Sequence, residues 1–343
     1  MPWLIAFISA FLFGIATPFS KALLNEVHPF LLAALFYLGA ALILLPKTVN
    51  LHVRSPIPKL TASDLWNLLG SLFFGGMVGP VLLLFGLRMT PATNASLLLN
   101  LETPATAMLA YLFFKENIGR RTAISNLGIV LAGVLLTFEG TSVPGWGGVF
   151  IALACIAWGL DNNHTASIHN IDPVRCTFLK GITFGTVNLL IAWRIIPVWP
   201  SWERCGFALI IGAFSYGISI VLYIYSAREL GAARSQMIFT SAPFFGVIVS
   251  QLYLAEPFFI YQLIAALLMI GMFVILFKEK HSHIHRHAVL EHVHRHSHTD
   301  EHHQHLHEKR DEADGTHSHI HTHDPIIHGH SHHPDLHHRH EKD

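Results

Sequence analysis

Apolar residues dominate ten long stretches of the sequence, and short polar segments separate them. Each stretch has roughly 18–23 residues, enough to cross a ~30 Å hydrocarbon core as an α-helix. Because most of the connections are short, neighbouring helices are expected to be antiparallel. The pattern therefore predicts an all-α integral membrane protein with ten transmembrane helices, at 3–24, 29–46, 65–87, 92–114, 122–138, 146–168, 174–193, 206–226, 232–254 and 258–277.

Residues around the fourth apolar stretch recur in the same order around the ninth. The matching pairs lie 139 or 140 residues apart: Pro91-Ala92 with Gly231-Ala232, Pro104 with Pro243, and Glu116 with Glu256. This match indicates an internal duplication, with repeats over 3–138 and 145–277, and duplication is typical of secondary transporters. Five helices per half place the second copy's start on the opposite side of the membrane, so the repeats are expected to be inverted.

Composition separates a membrane body from a polar tail. Apolar residues make up 52% of the 343 and charged residues 13%, against about a quarter charged in soluble domains. Residues 1–280 contain 16 Lys and Arg and 11 Asp and Glu, whereas residues 281–343 contain six and eleven. The neutral total therefore combines a basic membrane body with an acidic tail.

The loop charges predict the orientation of the chain in the cell membrane. With the N-terminus inside, the cytoplasmic connections hold eleven Lys and Arg and the outer connections hold four. Cytoplasmic loops of membrane proteins carry the excess of basic residues. Both termini are therefore expected in the cytoplasm.

Each half also begins with a shared motif. An aromatic residue precedes glycine at Phe13-Gly14 and Trp158-Gly159, and a loop proline follows at Pro29 and Pro173. With the ten helices and the Pro…Glu pattern of the fourth and ninth helices, these motifs resemble the EamA branch of the drug/metabolite transporter superfamily. The resemblance covers 3–277.

This resemblance implies a central cavity lined by helices 1–4 and 6–9, with helices 5 and 10 at the periphery. Members of the branch often carry Trp and Arg where this sequence has Phe13 and Phe36. The sequence contains no Walker motif, so a proton gradient or solute exchange, and not ATP, is expected to drive transport.

Glu102 is the eleventh residue of the fourth apolar helix. An ionisable group there costs about 2.5–3.5 kcal/mol on insertion scales, so it should face a cavity or a partner. We interpret Glu102 as a substrate-binding or proton-binding carboxylate, with Asn100 and Asn94 as further candidates. A hydrogen-bonded, structural glutamate is the alternative.

Three further polar residues are candidates for substrate binding. Asp161 and His164 stand at positions i and i+3 and share a helix face, so they could form a proton relay or half a metal site. If the sixth helix ends early, both instead lie in the cytoplasmic headgroup region. Gln236 is the third candidate, and a helix–helix hydrogen bond is its alternative role.

Histidine makes up 23 of the 63 residues from position 281 onward, and 14 pairs stand at positions i and i+2. In an extended chain, alternate side chains point to the same side, where two imidazoles can bind one Zn, Ni or Co ion. Residues 278–343 are expected to be a disordered cytoplasmic tail without metal. The candidate ligands are His281, His283, His285, His287, His292, His294, His296, His298, His317, His319, His321 and His323.

The leading functional hypothesis is secondary transport, in the export direction, of a small polar or amphipathic solute, with a tail that buffers or senses metal. Divalent-metal efflux is the first alternative, and a metal-sensing or storage protein without transport is the second. No nucleophile–base set appears in the apolar body, so an enzyme is not expected, and no cofactor is required. The expected partners are the lipid bilayer, the solute and divalent metal ions, without nucleic acid; the monomer or homodimer state stays open.

Overall fold

The computed structural model describes residues 2–54, 60–114, 119–138, 145–168, 171–230, 238–277, 281–286, 290–296, 317–323 and 327–332. The chain divides into two compact units, a helical unit within residues 1–279 and a tail unit within residues 280–334. Gln236, Glu116, His287 and His298 lie outside the described residues.

Fourteen helices can be followed in the described part of the helical unit. Apolar runs of transmembrane length form them, and glycine or proline interrupts several. They are α1 (Pro2–Gly14), α2 (Ala16–Leu23), α3 (Pro29–Arg54), α4 (Ala62–Phe73), α5 (Gly79–Met89), α6 (Ala92–Leu98), α7 (Glu102–Phe114), α8 (Arg120–Phe138), α9 (Trp146–Ala166), α10 (Pro173–Ile195), α11 (Trp202–Ile211), α12 (Ser219–Leu230), α13 (Ala242–Leu254) and α14 (Ile260–Phe277).

These helices correspond to the ten predicted stretches, and the helical membrane fold is confirmed. Four stretches consist of two helices each: α1 with α2, α4 with α5, α6 with α7, and α11 with α12. The second helix runs eight residues further than predicted because it continues through Pro46 to Arg54. Within the described residues, six segments are long and apolar enough to cross a membrane: Pro2–Leu23, Pro29–Asn50, Ala62–Met89, Arg120–Phe138, Pro173–Ile195 and Trp202–Ser226.

Helix packing repeats between the two halves. α3 packs against α10, α6 against α13, and α8 against α14, and each pair joins equivalent helices of the two halves. α1 packs against α12 and α13, just as α9 packs against α5 and α7. Exchanging the halves therefore maps these contacts onto one another, as an internal duplication predicts.

The helix ends show that the repeats are inverted. Glu256, two residues after α13, accepts hydrogen bonds from the backbone N–H groups of Ala92 and Thr93 at the start of α6 (2.7 and 2.8 Å). α13 therefore ends at the side of the bundle where α6 begins. Since α6 and α13 belong to equivalent positions of the two halves, the halves run in opposite directions.

A π-helical turn lies at equivalent places in the third and eighth helices, at Phe74–Val78 and Gly212–Ile218. In each turn, a glycine lies directly against another helix. A Cβ atom at Gly75 would overlap the carboxylate of Asp161, and one at Gly212 would overlap the backbone of Phe36. Glycine is therefore required for the close approach of these helices.

The tail differs from the expected disorder where the structure describes it. β1 (His281–Arg286) pairs antiparallel with β4 (Ile327–His332), and β2 (Leu290–His296) pairs antiparallel with β3 (His317–His323). The alternation of histidine with other residues explains the difference, because it is also the period of a β-strand.

Candidate functional site

Glu102 is the first residue of α7, directly after a 3₁₀ turn at Leu99–Leu101 that interrupts the fourth helix. Pro104 accounts for this interruption, since proline lacks an N–H and its ring clashes with the carbonyl four residues earlier, that of Asn100. The break therefore places a carboxylate where the backbone of the helix is locally irregular.

The ninth helix has the equivalent break, without the acid. α13 starts at Ala242, directly before Pro243. Ser241 stands where the first half has Glu102, and its hydroxyl donates to the carbonyl of Ile238 at 2.6 Å. The duplicated prolines thus break both helices, and only the first half supplies a charge.

Side chains of α9 donate hydrogen bonds to the interrupted fourth helix. The amide of Asn162 donates to Glu102 Oε1 at 2.7 Å and to Thr106 Oγ1 at 3.2 Å. The thiol of Cys155 donates to the carbonyls of Leu98 and Leu99 at 3.6 and 3.8 Å. α9 therefore holds the carboxylate in place and satisfies part of the interrupted backbone.

Glu102 lies on the face of α7 that points into the bundle. It shares this face with Thr106 and Leu109, and the backbone N of Thr106 and Cδ1 of Leu109 would each lie 3.0 Å from a Cβ atom at Gly159 of α9. The outer face instead exposes Met108 and Leu112. Glu102 and Asn162 nevertheless keep intermediate exposure, so space remains beside them inside the bundle.

Aromatic rings of α1 and of the second half pack against one another in a row. The ring of Tyr223 packs against Phe239 at 4.9 Å, Phe239 packs against Phe13 at 5.2 Å, and Phe13 packs against Tyr216 at 5.9 Å between centroids.

Asp161 forms a second buried cluster at the junction of α4, α9 and α10. Lys180 Nζ lies 2.7 Å from both carboxylate oxygens, and each side chain is 13% exposed. The hydroxyls of Ser71 and Thr165 donate to Oδ1 at 2.6 and 3.0 Å. Because α9 continues to Ala166, Asp161 lies in the packed interior and not beyond the helix end.

His164 lies one turn further along α9 and has other partners. Its Nδ1 is 3.0 Å from Asn67 Oδ1, and its ring stacks on Phe74 at 6.3 Å. Among the described residues, no group of three His, Cys, Asp or Glu side chains is placed to hold a metal ion.

Asn94 and Asn100 face the tenth helix and not Glu102. Asn94 Oδ1 accepts from Gln262 Nε2 at 2.6 Å, and Asn100 Nδ2 lies 3.4 Å from the sulfur of Met269. The structure thus separates these two candidates from the carboxylate. Both belong to the packing of the fourth helix against α14.

Asn162 and Thr106 were not predicted from the sequence as site residues. Asn162 lies between the candidates Asp161 and His164 in the sixth helix, and this run of polar residues was the only feature of the sequence that pointed to it.

The EamA-like transporter family matches residues 1–138 and 145–277. This chain belongs to that family. The two matched ranges together cover most of the chain and coincide with the two halves of the helical unit.

Three proteins of known sequence are similar to this chain over most of its length. An uncharacterized transporter of Methanothermobacter thermautotrophicus is 28% identical, over 78% of this chain and 84% of its own length. The uncharacterized transporter YetK of Bacillus subtilis is 25% identical, over 80% and 86%. A chloroplastic WAT1-related protein of Arabidopsis thaliana is 25% identical, over 81% and 70%. A solved crystal structure with a TM-score of 0.59 and 16% identity covers 80% of this chain and 94% of its own, a likeness in fold.

As an EamA-like protein, the chain is a multi-pass membrane transporter and not an enzyme. The Glu102 site joins α7 of the first half to α9 of the second half. A site between two inverted repeats is where secondary transporters bind their substrates.

Proposed function

We propose that this protein is a secondary-active exporter of a small polar or amphipathic solute, and that Glu102 binds the solute or the coupling proton. The observation that supports this most is the carboxylate at a helix break, held by Asn162 of the other half. Rocking of the inverted halves about this site would expose it to each side of the membrane in turn.

Contacts at both ends of the helical unit fit this mechanism. At one end, Lys21 donates to the carbonyls of Leu87 and Thr90 at 2.8 Å, and Glu256 caps α6. Towards the other end, the Asp161 cluster connects α4, α9 and α10. Alternating access requires contacts such as these to break and form on opposite sides.

The histidine-rich tail is proposed to bind Zn, Ni or Co and to buffer or sense the metal, while the helical unit transports the solute. In both strand pairs, histidine lies opposite histidine in the register, as in His283 with His330 and His294 with His319. Opposite residues of antiparallel strands have Cβ atoms about 4.5–5.5 Å apart, which is within reach of one ion. Metal efflux by the helical unit is less supported, because its described residues hold no ligand cluster.

The proposed transport function predicts that Glu102→Gln abolishes solute movement without preventing insertion. Glutamine keeps the size and one acceptor oxygen but removes the charge and the proton site. The measurement compares all small solutes inside cells and in their medium, for cells that express the parental protein, the variant or neither. At least one solute should depend on the parental protein, and cells with Glu102→Gln should resemble cells without it.

Glu203→Gln is the matched control, since Glu203 is exposed in the first turn of α11. It should leave the distribution of the solute unchanged. If no solute depends on the parental protein, the transport proposal fails; if Glu102→Gln transports at the parental rate at every pH, Glu102 is structural.

A further inference from the structure

We propose that the tail binds divalent metal ions between its strands, at six sites that each take one histidine from either strand of a pair. This inference rests on the proposed metal binding by the tail and names the ligand pairs. It replaces the i, i+2 pairing along one strand that the sequence suggests, and it adds ligands from β4 that the sequence-based candidates do not include.

The strand register places histidine opposite histidine six times. The pairs are His281 with His332, His283 with His330, His285 with His328, His292 with His321, His294 with His319, and His296 with His317. Within the four strands, His323 is the exception, because it lies opposite Leu290. Since histidine alternates with other residues, a register shifted by one residue would leave no such pair within these strands.

A single register accounts for all six pairs. Three residues separate β1 from β2, and three separate β3 from β4. The pairing of β1 with β4 therefore continues in step into the pairing of β2 with β3, and both belong to one compact unit. The partner of each paired histidine is thus determined by one alignment of 281–296 with 317–332.

The spacing of residues in a sheet favours binding between strands over binding along one strand. Opposite residues of antiparallel strands have Cβ atoms about 4.5–5.5 Å apart, whereas residues i and i+2 of one strand are about 6.8 Å apart. Since an imidazole nitrogen binds zinc at about 2.0–2.1 Å, two opposite residues are the better placed pair. Two protonated imidazoles would repel each other at these positions, so the pairing favours neutral rings that share an ion.

The pairing also gives metal binding a structural consequence. His328, His330 and His332 of β4 each supply one ligand to a site with β1. Residues 281 and 332 are 51 positions apart, so an ion bound by both closes a long loop and brings the two ends of the tail unit together. Two imidazoles leave coordination positions of zinc for water, so the ions should exchange readily, as buffering or sensing requires.

The test counts the zinc ions bound by the full-length protein in lipid nanodiscs, by equilibrium dialysis at pH 7.5. In every protein of the series, the eleven tail histidines outside the six pairs are changed to asparagine. A protein without any tail histidine sets the zero. The protein that keeps all six pairs should bind six ions.

Two fourfold variants separate binding between strands from binding along them. The matched variant removes two whole pairs and should bind four ions: His281→Asn, His332→Asn, His292→Asn and His321→Asn. The mismatched variant breaks four pairs and should bind two ions: His281→Asn, His328→Asn, His292→Asn and His317→Asn. Both variants lose four histidines and both keep four i, i+2 pairs within the strands, so binding along single strands predicts equal numbers.

Spin labels at Ser282→Cys and Ser331→Cys, which lie opposite each other in the register, measure the closure of the loop. Cys205→Ser removes the partly exposed native thiol, and Cys155 and Cys176 are buried. With zinc, the protein that keeps all six pairs should show one short, narrow distance, whereas a coil of this length spans about 35–42 Å. Equal zinc binding by the two fourfold variants, or labels at the coil distance with zinc bound, would overturn the inference and leave metal binding by the tail intact. If the parental protein binds no zinc, both fail.

Discussion

Asp161 and Lys180 compensate each other's charge in a part of the helical unit where water has little access. Each is 13% exposed, and Ser71 and Thr165 complete the hydrogen bonds of the carboxylate. Gly75 makes room for the carboxylate against α4 and the following π turn. Removing one partner would therefore leave the other charge buried and unpaired.

Single substitutions at this pair are expected to destabilise the protein strongly. Asp161→Asn and Lys180→Met should each lower the free energy of unfolding by about 3–5 kcal/mol, because an isolated buried charge costs that much. The double variant should lose less than the sum of the two. Unfolding in detergent micelles measures all four proteins of the cycle.

The exposed pair Arg204–Glu26 is the matched control for this cycle, with side chains 39% and 50% exposed. Arg204→Met and Glu26→Gln should each cost at most about 1 kcal/mol, as surface ion pairs do. Additive losses at Asp161 and Lys180 would contradict a direct coupling between the two residues.

The sequence predicted individual site residues better than their grouping. Glu102 and Asp161 are evident because a carboxylate is unusual in an apolar helix. Asn94 and Asn100 are also polar residues in an apolar helix, yet they face Gln262 and Met269 of α14. Position along a helix does not specify which neighbour each face meets, since that depends on packing between distant helices.

At the scale of helices, the aromatic-glycine motif has the same role in both halves. A Cβ atom at Gly14 would overlap the carbonyl of Ala242 at the start of α13. A Cβ atom at Gly159 would lie 3.0 Å from the backbone N of Thr106 in α7. The motif therefore lets the first helix of each half approach the broken helix of the other half at backbone distance.

Alanine at either glycine should separate these helices. Gly14→Ala and Gly159→Ala are each expected to lower the free energy of unfolding by about 1–3 kcal/mol, the cost of overpacking. Thermal unfolding in detergent is the measurement. Gly206→Ala is the control: no atom lies within 4 Å of its Cβ position, so it should be neutral or stabilise α11 by about 0.5–1 kcal/mol. Equal effects at all three positions would refute the role of the motif.

Helix breaks were partly predictable. Proline marks the breaks in the fourth and ninth helices, and glycines mark the π turn at Phe74–Val78. The length of the 3₁₀ and π turns was not predictable, because side chains of other helices, such as Cys155, satisfy the displaced carbonyls. The local sequence indicates where a helix is interrupted, and contacts with other helices determine the geometry of the interruption.

For the whole molecule, hydrophobic periodicity and the repeat predicted the ten-helix inverted architecture, since bilayer thickness and duplication leave few alternatives. The strands of the tail were not predicted. Their histidine content suggested disorder, although the alternation of the same histidines suits a strand.

Metal binding should be confined to the tail and should depend on neutral imidazole. The full-length protein is expected to bind several zinc or nickel ions at pH 7.5 and to lose them at pH 5, below the ~6.5 pKa of free imidazole, where protons occupy the ligand nitrogen. Truncation after Lys280 should abolish binding and leave Glu102-dependent transport. Metal titration of both proteins at the two pH values is the measurement.

A protein in which all 23 histidines of residues 281–343 are changed to asparagine controls for the loss of the tail's length. It should behave like the truncated protein in metal titration. Binding that persists at pH 5, or that survives truncation, would show that another group is the ligand.

The cap that Glu256 places on α6 also affects how the protein is made. The two partners are separated by 164 residues in the chain, so the ribosome must synthesise nearly the whole second half before the cap can form. At about 5–20 residues per second, this takes on the order of ten to thirty seconds. During that interval the inserted first half keeps the backbone N–H groups of Ala92 and Thr93 without their final acceptor, and a nascent chain arrested before residue 256 cannot complete its first repeat.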